Sequence, residues 1–219
     1  KQDASIHPDR FLRALEAHLI ANGAGVIDAA VKGFETSGGK VVGVNTMAGK
    51  FMADQLVLAS GSWTPELAAK LGQSIAVQPA KGYSITVPVS KPSFRIPCIL
   101  ADEKVTITPM PGCIRFGGTL ALQGFDISID ERRASPIRRQ AEAYTEGAEN
   151  VPTWAGFRPA SPDGLPFIGV VPDHQNVFIA TGHGMMGVTL GPVTGKLIAE
   201  LALGSEPSQN IDPFNVNRH

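Results

Sequence analysis

The fold is decided by the stretch Val177-Phe178-Ile179-Ala180-Thr181-Gly182-His183-Gly184-Met185-Met186-Gly187, in which an apolar run typical of a buried strand enters a glycine-rich turn. The turn opens a long helix, because apolar residues then recur at helical spacing: Leu190, Val193, Leu197, Ile198 and Leu201. Pro192 is early enough in that helix that its missing amide matters little. The free amides and the dipole of the helix point into the turn, which predicts a site for an electronegative group. The alternative is that the glycines form only a C-cap and a tight turn, with no ligand.

The glycines of this turn also match a dinucleotide-binding pattern, G-x-G-x-x-G, at Gly182, Gly184 and Gly187. We reject that reading, because a βαβ unit needs a second parallel strand after the helix. Residues 204–210 are instead a polar stretch, Gly-Ser-Glu-Pro-Ser-Gln-Asn, and Glu200 lies inside the helix. The group held by this turn is therefore not expected to be a pyrophosphate.

Composition limits the possible partners and the compartment. The 219 residues can bury an ample core, in one large domain or two small ones. A formal net charge of -1 disfavours binding to nucleic acid or to anionic lipid. We expect no membrane span and no signal peptide, and hence a cytoplasmic protein. Cys98 and Cys113 are expected to be buried thiols, although a disulfide stays open.

The order of predicted elements indicates a mixed fold. Helices are predicted over residues 8–20, 64–71 and 130–146, the last with Asp130 as its cap, a possible kink at Pro136 and solvated Arg132, Arg133, Arg138 and Arg139. A strand is predicted to start at residues 25–27. An antiparallel meander is predicted over 31–35, 41–46 and 50–58, with 55–59 buried on both faces, and further strands over 81–87, 105–108 and 114–119. We therefore expect an α/β (α+β) fold: a discontinuous domain of residues 1–77 and 151–219, into which a mainly antiparallel β domain with a helix, 78–150, is inserted.

Hydrolytic chemistry and metal binding are disfavoured. No G-x-S-x-G motif occurs, and Ser62 lacks the second glycine that a nucleophile elbow requires. The histidines are too scattered to suggest a metal cluster: His7, His18, His174, His183 and His219. What remains is a set of loops at strand ends, which in α/β folds line a crevice: residues 59–63, 81–83, 156–159 and 182–187.

Arg158 is the best candidate for substrate binding. Gly156 and Pro159 give it a rigid frame, and a guanidinium can hold a carboxylate with two parallel hydrogen bonds. An internal ion pair with Asp163 or another acidic residue is the alternative.

Three other side chains have both a binding and a structural interpretation. Tyr83 could add a hydroxyl to the same carboxylate or be an ordinary strand tyrosine. His183 could contact a ring or a substrate, or bond to the backbone. Met185 and Met186 could pack against a flat cofactor or fill the core.

Taken in order, four segments resemble the flavin-dependent D-amino acid dehydrogenase and glycine oxidase (DAO) family. They are residues 53–63 (Ala-Asp-Gln-Leu-Val-Leu-Ala-Ser-Gly-Ser-Trp), 79–84 (Pro-Ala-Lys-Gly-Tyr-Ser), 154–169 and 181–195. The combination Trp-x-Gly-x-Arg-Pro-x-x-Pro-Asp-Gly-x-Pro followed by Gly-His-Gly is specific, and the likeness spans nearly the whole chain.

The resemblance implies FAD as cofactor and a Rossmann-like FAD-binding domain with an inserted substrate domain. Val31 would contact adenine through its backbone, and the turn 182–188 would hold the pyrimidine edge of the flavin. The implied cofactor-binding residues are Val31, Ala59, Ser60, Gly61, Trp63, Gly156, Gly182, His183, Gly184, Met185, Met186, Gly187 and Val188. The implied substrate is a D-amino acid, glycine or a cyclic imino acid, bound by Arg158, Tyr83 and His183. Its oxidation to an imine and then a 2-oxo acid by hydride transfer needs no catalytic protein base.

The chain departs from the family pattern at its start. Family members open with a strand and a G-x-G-x-x-G loop, and nothing before His7 resembles them. We therefore expect the carboxy-terminal portion of such an enzyme, which alone would hold little FAD, and an oligomer or a partner chain could complete the FAD domain. A flavin-free binding module or structural subunit without activity of its own is the alternative.

Overall fold

A computed structural model describes residues 6–219. It contains four helices within that range: α1 (Pro8–Ala21), α2 (Thr64–Ala69), α3 (Glu131–Tyr144) and α4 (Gly187–Ala202). The strands are β1 (Val31–Ser37), β2 (Lys40–Thr46), β3 (Gly49–Met52), β4 (Leu56–Leu58), β5 (Gln78–Pro88), β6 (Cys98–Leu100), β7 (Val105–Met110), β8 (Cys113–Ala121), β9 (Trp154–Ala160), β10 (Phe167–Val171) and β11 (His174–Thr181). The expected mixture of helices and antiparallel strands is confirmed.

The chain divides into two compact units. One unit comprises residues 27–79 and 158–219, and the other comprises residues 80–157 together with the amino-terminal residues up to 26. The sequence had predicted that residues 1–26 belong with the unit of residues 27–79 and 158–219, and that the later boundary lies between residues 150 and 151. Strands β5 and β9 run across the boundaries between the two units.

The unit of residues 27–79 and 158–219 contains two three-stranded sheets. One is an antiparallel meander of β1, β2 and β3. The other has the order β10-β11-β4, in which β10 is antiparallel and β4 is parallel to β11. Its core is apolar and includes Val41, Leu58, Phe167, Val177 and Ile179. The parallel pair matters for function, because the loops that follow β4 and β11 leave the sheet at the same edge.

The other unit is built on a five-stranded sheet of order β6-β7-β8-β5-β9. Strand β8 is antiparallel to both of its neighbours, β5 and β7. Helix α3 covers one face, where Ile137 lies in the same buried cluster as Tyr83 and Phe116. Asp130 caps α3 as expected, since its side chain accepts a hydrogen bond from the Arg132 amide. Pro136 lies inside this helix.

Several local predictions were wrong. Residues 25–27 form no strand. The predicted strand 50–58 is two strands in different sheets, and Val57 is 43% exposed because β4 is an edge strand. Arg138 is not solvated: it donates to the Val151 carbonyl oxygen and to Thr153 Oγ1, each over 3.0 Å.

Helix α1 and the cysteines also differ from expectation. The helix has the predicted bounds within one residue, but it buries none of its side chains, and Leu12 on its apolar face is 58% exposed. Cys98 and Cys113 are free thiols of intermediate exposure rather than buried ones. No helix of residues 6–219 has the length and apolar character needed to cross a membrane.

Candidate functional site

Two of the predicted loops meet at one edge of the β10-β11-β4 sheet. Leu56 lies beside Val177 and Leu58 beside Ile179 in the parallel pair, so the chain leaves both strands in the same direction. A side-chain hydrogen bond then joins the loops, as Thr181 Oγ1 donates to the carbonyl oxygen of Gly61 over 2.8 Å. Residues 59–63 and 182–187 are therefore neighbours, as the sequence analysis expected.

The loop after β4 is shaped by a glycine and a short 3-10 turn. Gly61 has φ +56°, a left-handed conformation that favours glycine, and begins the turn Gly61–Trp63. Ser60 is half-buried and Trp63 is 50% exposed. The Ser62 hydroxyl is buried and has no hydrogen-bond partner within residues 6–219. Sequence reasoning considered Ser62 only as a nucleophile, and its unpaired hydroxyl is a feature that only the structure reveals.

The turn after β11 requires glycine at its first position. Gly182 has φ +81°, and a Cβ there would lie 3.2 Å from Phe167 Cδ2 and 3.4 Å from Val77 Cγ2. Gly184 has φ +53° and donates its amide to the Pro159 carbonyl oxygen over 2.9 Å. The turn is thus packed tightly on its inner side and tied to the end of β9.

The outer side of the same turn is open. Helix α4 starts with Met186 at its N-cap position, and no side chain of the described chain caps it. Met185, Met186 and Val188 are 77%, 50% and 44% exposed. The first amides of α4 are therefore accessible, with the positive end of the helix dipole behind them. This arrangement suits an electronegative group. Pro192 lies in the helix interior and does not affect these first amides.

Arg158 is a half-buried cation without a counter-ion. Within residues 6–219 its guanidinium makes no side-chain hydrogen bond or ion pair, and burial lowers the pKa of Arg158. The alternative partner, Asp163, is bound instead by Arg218, whose Nε and Nη2 donate to the carboxylate over 2.8 and 3.0 Å.

Strand β9 brings Arg158 to the turn. Two residues after Arg158, Ala160 forms an isolated antiparallel bridge with His183. The amide of Gly184 adds the hydrogen bond to Pro159 described above. Arg158 therefore reaches the glycine turn on a strand that is hydrogen-bonded to it, and the sequence prediction that these two segments are close is consistent with this geometry.

His183 bonds to helix α4. Its Nε2 lies 2.9 Å from Thr194 Oγ1, and burial holds the pKa of His183 below its usual value. Thr194 is 5% exposed. The imidazole is therefore neutral at pH 7, and one of its two ring nitrogens is engaged by the protein.

The remaining predicted residues occupy different surroundings. Val31 is half-buried at the start of β1, opposite Thr46. Gly156 lies under the indole of Trp154, so a Cβ there would come within 2.1 Å of Trp154 Cη2. Tyr83 is 1% exposed in the core beneath α3, and its hydroxyl has no partner within residues 6–219.

The buried side chain of Lys81, beside Tyr83, was not predicted from the sequence. The Lys81 side chain is 1% exposed, and its Nζ donates to the Ser128 carbonyl oxygen over 2.8 Å. Asp126 lies 3.4 Å from Nζ, and the Tyr83 ring centroid lies 5.6 Å away. A lysine at an inward-facing position of an apolar strand was the available signal. Among residues 6–219, no group of histidine, cysteine and carboxylate side chains could hold a metal ion.

Comparison with known proteins identifies the family of this chain. The family model "DAO: FAD dependent oxidoreductase" matches residues 1–201. A D-amino acid dehydrogenase of Bradyrhizobium diazoefficiens is 36% identical over 224 residues, which cover 100% of this chain and 53% of that protein. A D-amino acid dehydrogenase of Vibrio vulnificus is 40% identical over 194 residues, or 86% of this chain and 46% of that protein. The chain thus spans about half the length of the curated relatives it matches.

Solved structures give the same result for the fold. Glycine oxidase from Geobacillus kaustophilus superposes with a TM-score of 0.84 at 28% identity, over 94% of this chain and 57% of that one. L-proline dehydrogenase from P. horikoshii superposes with a TM-score of 0.85 at 21% identity, over 96% and 59%, which supports the fold alone. The chain belongs to the DAO family of FAD-dependent oxidoreductases.

Proposed function

We propose that the full-length gene product oxidises an amino acid whose carboxylate is bound by Arg158. The substrate class is a D-amino acid, glycine or a cyclic imino acid, and the product is an imine that water converts to a 2-oxo acid. The carrying observation is the half-buried guanidinium without a counter-ion in residues 6–219. Such a group is costly to leave unpaired, and a substrate carboxylate would supply the missing charge.

The residues of the glycine turn fit the flavin of FAD. The turn 182–188 is packed on its inner side, and its outer amides are accessible at the start of α4. When bound, FAD supplies the two-electron acceptor for the reaction. The amides of Met185, Gly187 and Val188 would hold the electron-rich edge of the ring, because the helix dipole favours negative charge there. The Met186 amide already donates to the His183 carbonyl oxygen.

The other cofactor contacts follow from the positions of the loops. The loop of residues 59–63, joined to the turn through Thr181, would line the nucleotide channel, and Val31 would contact adenine through its backbone. Gly156 stays a predicted contact, although in the structure its lack of a side chain makes room for Trp154.

The protein contributes binding and orientation in this proposal. A bidentate Arg158–carboxylate pair fixes the substrate in one plane and so determines where its Cα hydrogen points. The proposal assigns no general base, because hydride transfer from a positioned substrate to the flavin does not require one. The Nε2 atom of His183 lies 2.9 Å from Thr194 Oγ1 and is therefore engaged within the protein. Tyr83 and His183 stay predicted substrate contacts, and for Tyr83 the deep burial of the side chain favours a structural role.

The relatives support this class of substrate. Both curated relatives carry the name D-amino acid dehydrogenase, and the structural relative at 28% identity is a glycine oxidase. The cytoplasmic location, and the oligomer or partner chain that could complete the FAD domain, stay predictions from the sequence.

Substitution of Arg158 tests the proposal. In the full-length gene product loaded with FAD, Arg158→Ala should cost about 2–5 kcal/mol in transition-state binding, which is a loss of about 30-fold or more in kcat/KM. Dye reduction with D-alanine, D-proline and glycine measures it. Arg158→Lys should retain part of the activity, because lysine keeps the charge but cannot form two parallel hydrogen bonds with a carboxylate.

The matched control is Arg132→Ala, which removes a guanidinium from a side chain that is 92% exposed. It should leave kcat/KM unchanged. Normal kinetics in Arg158→Ala with any carboxylate substrate would refute the assignment of the anchor, and an absence of dye reduction with every amino acid would refute the proposed reaction.

A further inference from the structure

We propose that the hydrogen bond between His183 and Thr194 is a brace that sets the direction of the turn amides, which makes both side chains positioning residues for the flavin. The inference rests on the proposed function, because it concerns the same turn. It differs from direct ligand contact by His183, since the imidazole acts through the backbone that carries it.

The geometry of the brace links the turn to the body of the helix. His183 lies four residues before the start of α4, and Thr194 lies seven residues inside it, about 10 Å along the helix axis at 1.5 Å per residue. The His183 Nε2 and Thr194 Oγ1 atoms are 2.9 Å apart in half-buried surroundings. The imidazole therefore extends along the helix and fixes the turn against it.

The brace is the side-chain restraint on a turn that is otherwise held by its backbone bonds and by the packing at Gly182. Within residues 6–219, the His183–Thr194 bond is the only side-chain hydrogen bond made by any residue of the segment 182–188. Its backbone bonds include those from Met186 to His183, from Leu190 to Met186 and from Gly184 to Pro159, and Ala160 bridges to His183. Because Gly184 and Gly187 leave the outer part of the segment conformationally permissive, a side-chain bond to the body of the helix restricts it further.

The Thr194 hydroxyl bonds to His183 rather than to its own helix. A threonine hydroxyl inside a helix commonly bonds to a carbonyl of its own preceding turn. Here the partner is His183, and Thr194 is buried, as are Leu197 and Ile198 on the same helix. A neutral imidazole can either accept from this hydroxyl or donate to it.

Amide direction matters because electrostatic stabilisation depends on preorganised dipoles. Loss of the brace should weaken the flavin contact, and more so for reduced flavin, which carries negative charge at the ring edge facing these amides. Arg158 is carried by β9, so its affinity for a carboxylate should change little.

The test uses Thr194→Val in the full-length gene product, because valine keeps the shape and removes the hydroxyl. We expect the dissociation constant for FAD, measured by titration of the apoprotein, to rise about tenfold. We expect the affinity for reduced FAD to fall about tenfold more than the affinity for oxidised FAD. That difference would lower the two-electron midpoint potential by about 30 mV. Thr194→Ser should restore the dissociation constant to within about twofold and should also restore the potential. The affinity of Thr194→Val for acetate, a carboxylate that would bind Arg158, should stay unchanged.

A double-mutant cycle with His183→Phe, which keeps a ring but removes its nitrogens, separates a brace from two independent effects. The double variant should bind FAD no more weakly than the weaker single variant. The control is Thr106→Val, which removes a hydroxyl that donates to the Gly117 carbonyl oxygen over 2.9 Å in the other unit. It should leave FAD affinity and potential unchanged.

The outcomes distinguish the two proposals. Unchanged FAD affinity and potential in Thr194→Val, or additive losses in the cycle, would overturn the brace and leave the proposed function intact. Failure of Thr194→Ser to restore the potential would also overturn it, because the role would then be packing alone. Absence of FAD uptake by the unaltered full-length protein would overturn both.

Discussion

Asn176→Ala should destabilise the protein strongly, because one buried amide joins the two sheets of the unit that carries the turn. Asn176 is 8% exposed. Its Oδ1 accepts from the Val41 amide over 3.0 Å, and its Nδ2 donates to the carbonyl oxygens of Val41 and Asp54 over 2.7 and 2.8 Å. Val41 belongs to β2 of the meander, and Asn176 belongs to β11, next to β4. The side chain therefore replaces missing backbone pairing between two sheets.

The magnitude follows from the burial of the partners. Val41 is 0% exposed, so alanine would leave its amide and carbonyl unpaired, whereas the carbonyl of the exposed Asp54 can turn to water. Each buried group left unsatisfied costs about 1–3 kcal/mol, and two such groups cost about 3 kcal/mol together.

Urea unfolding of the full-length gene product followed by circular dichroism measures this loss. Asn150→Ala is the control, because Asn150 is exposed and its side chain, within residues 6–219, bonds only to the neighbouring Glu149. Its effect should stay within about 0.5 kcal/mol. A loss below about 1 kcal/mol in Asn176→Ala would refute the reasoning, since water would then have to reach Val41.

Two further substitutions test local contacts. Gly156→Ala should displace the Trp154 indole, since the new Cβ would lie 2.1 Å from its Cη2; near-ultraviolet dichroism should change and stability fall by about 1–3 kcal/mol, whereas Gly33→Ala, with no atom within 4 Å, should leave the signal intact. Asp163→Asn tests pH dependence: hydrogen bonds from Arg218 hold the pKa of Asp163 far below its usual value, so this carboxylate stabilises the fold above about pH 5 and loses that effect as pH falls through its low folded pKa. Unfolding free energies from pH 7 to pH 3 should decline less in the variant, and parallel pH profiles would contradict the prediction.

Local sequence signals were sufficient where an element depends on its own residues. The apolar spacing and the Pro8 start predicted α1 to within one residue, and Asp130 was recognised as the cap of α3. The same signals failed for residues 50–58. That stretch has no turn signal of its own, yet its first half pairs with β2 and its second half pairs with β11, more than 110 residues later. Partner choice of this kind is decided by the whole fold and leaves no local mark.

The candidate site shows the same division. Glycines and a helix pattern were enough to predict an open turn at the start of α4. The counter-ion of Asp163 could not be predicted, because Arg218 is 55 residues away in sequence and shares no motif with it. The partner of His183 is closer, yet a threonine inside a helix has several possible acceptors. Pairings between polar side chains therefore required coordinates.

Two features of this chain are unfavourable for an isolated fold and become favourable with ligands. A half-buried guanidinium without a counter-ion loses hydration, and an uncapped helix start leaves its amides without protein acceptors. Both lie in the unit of residues 27–79 and 158–219, and both require negative charge. Among residues 6–219 neither has a protein partner, although Arg218 in the same unit has one in Asp163. The proposed function would supply negative charge to both, through a substrate carboxylate at Arg158 and an electron-rich ring edge at the start of α4.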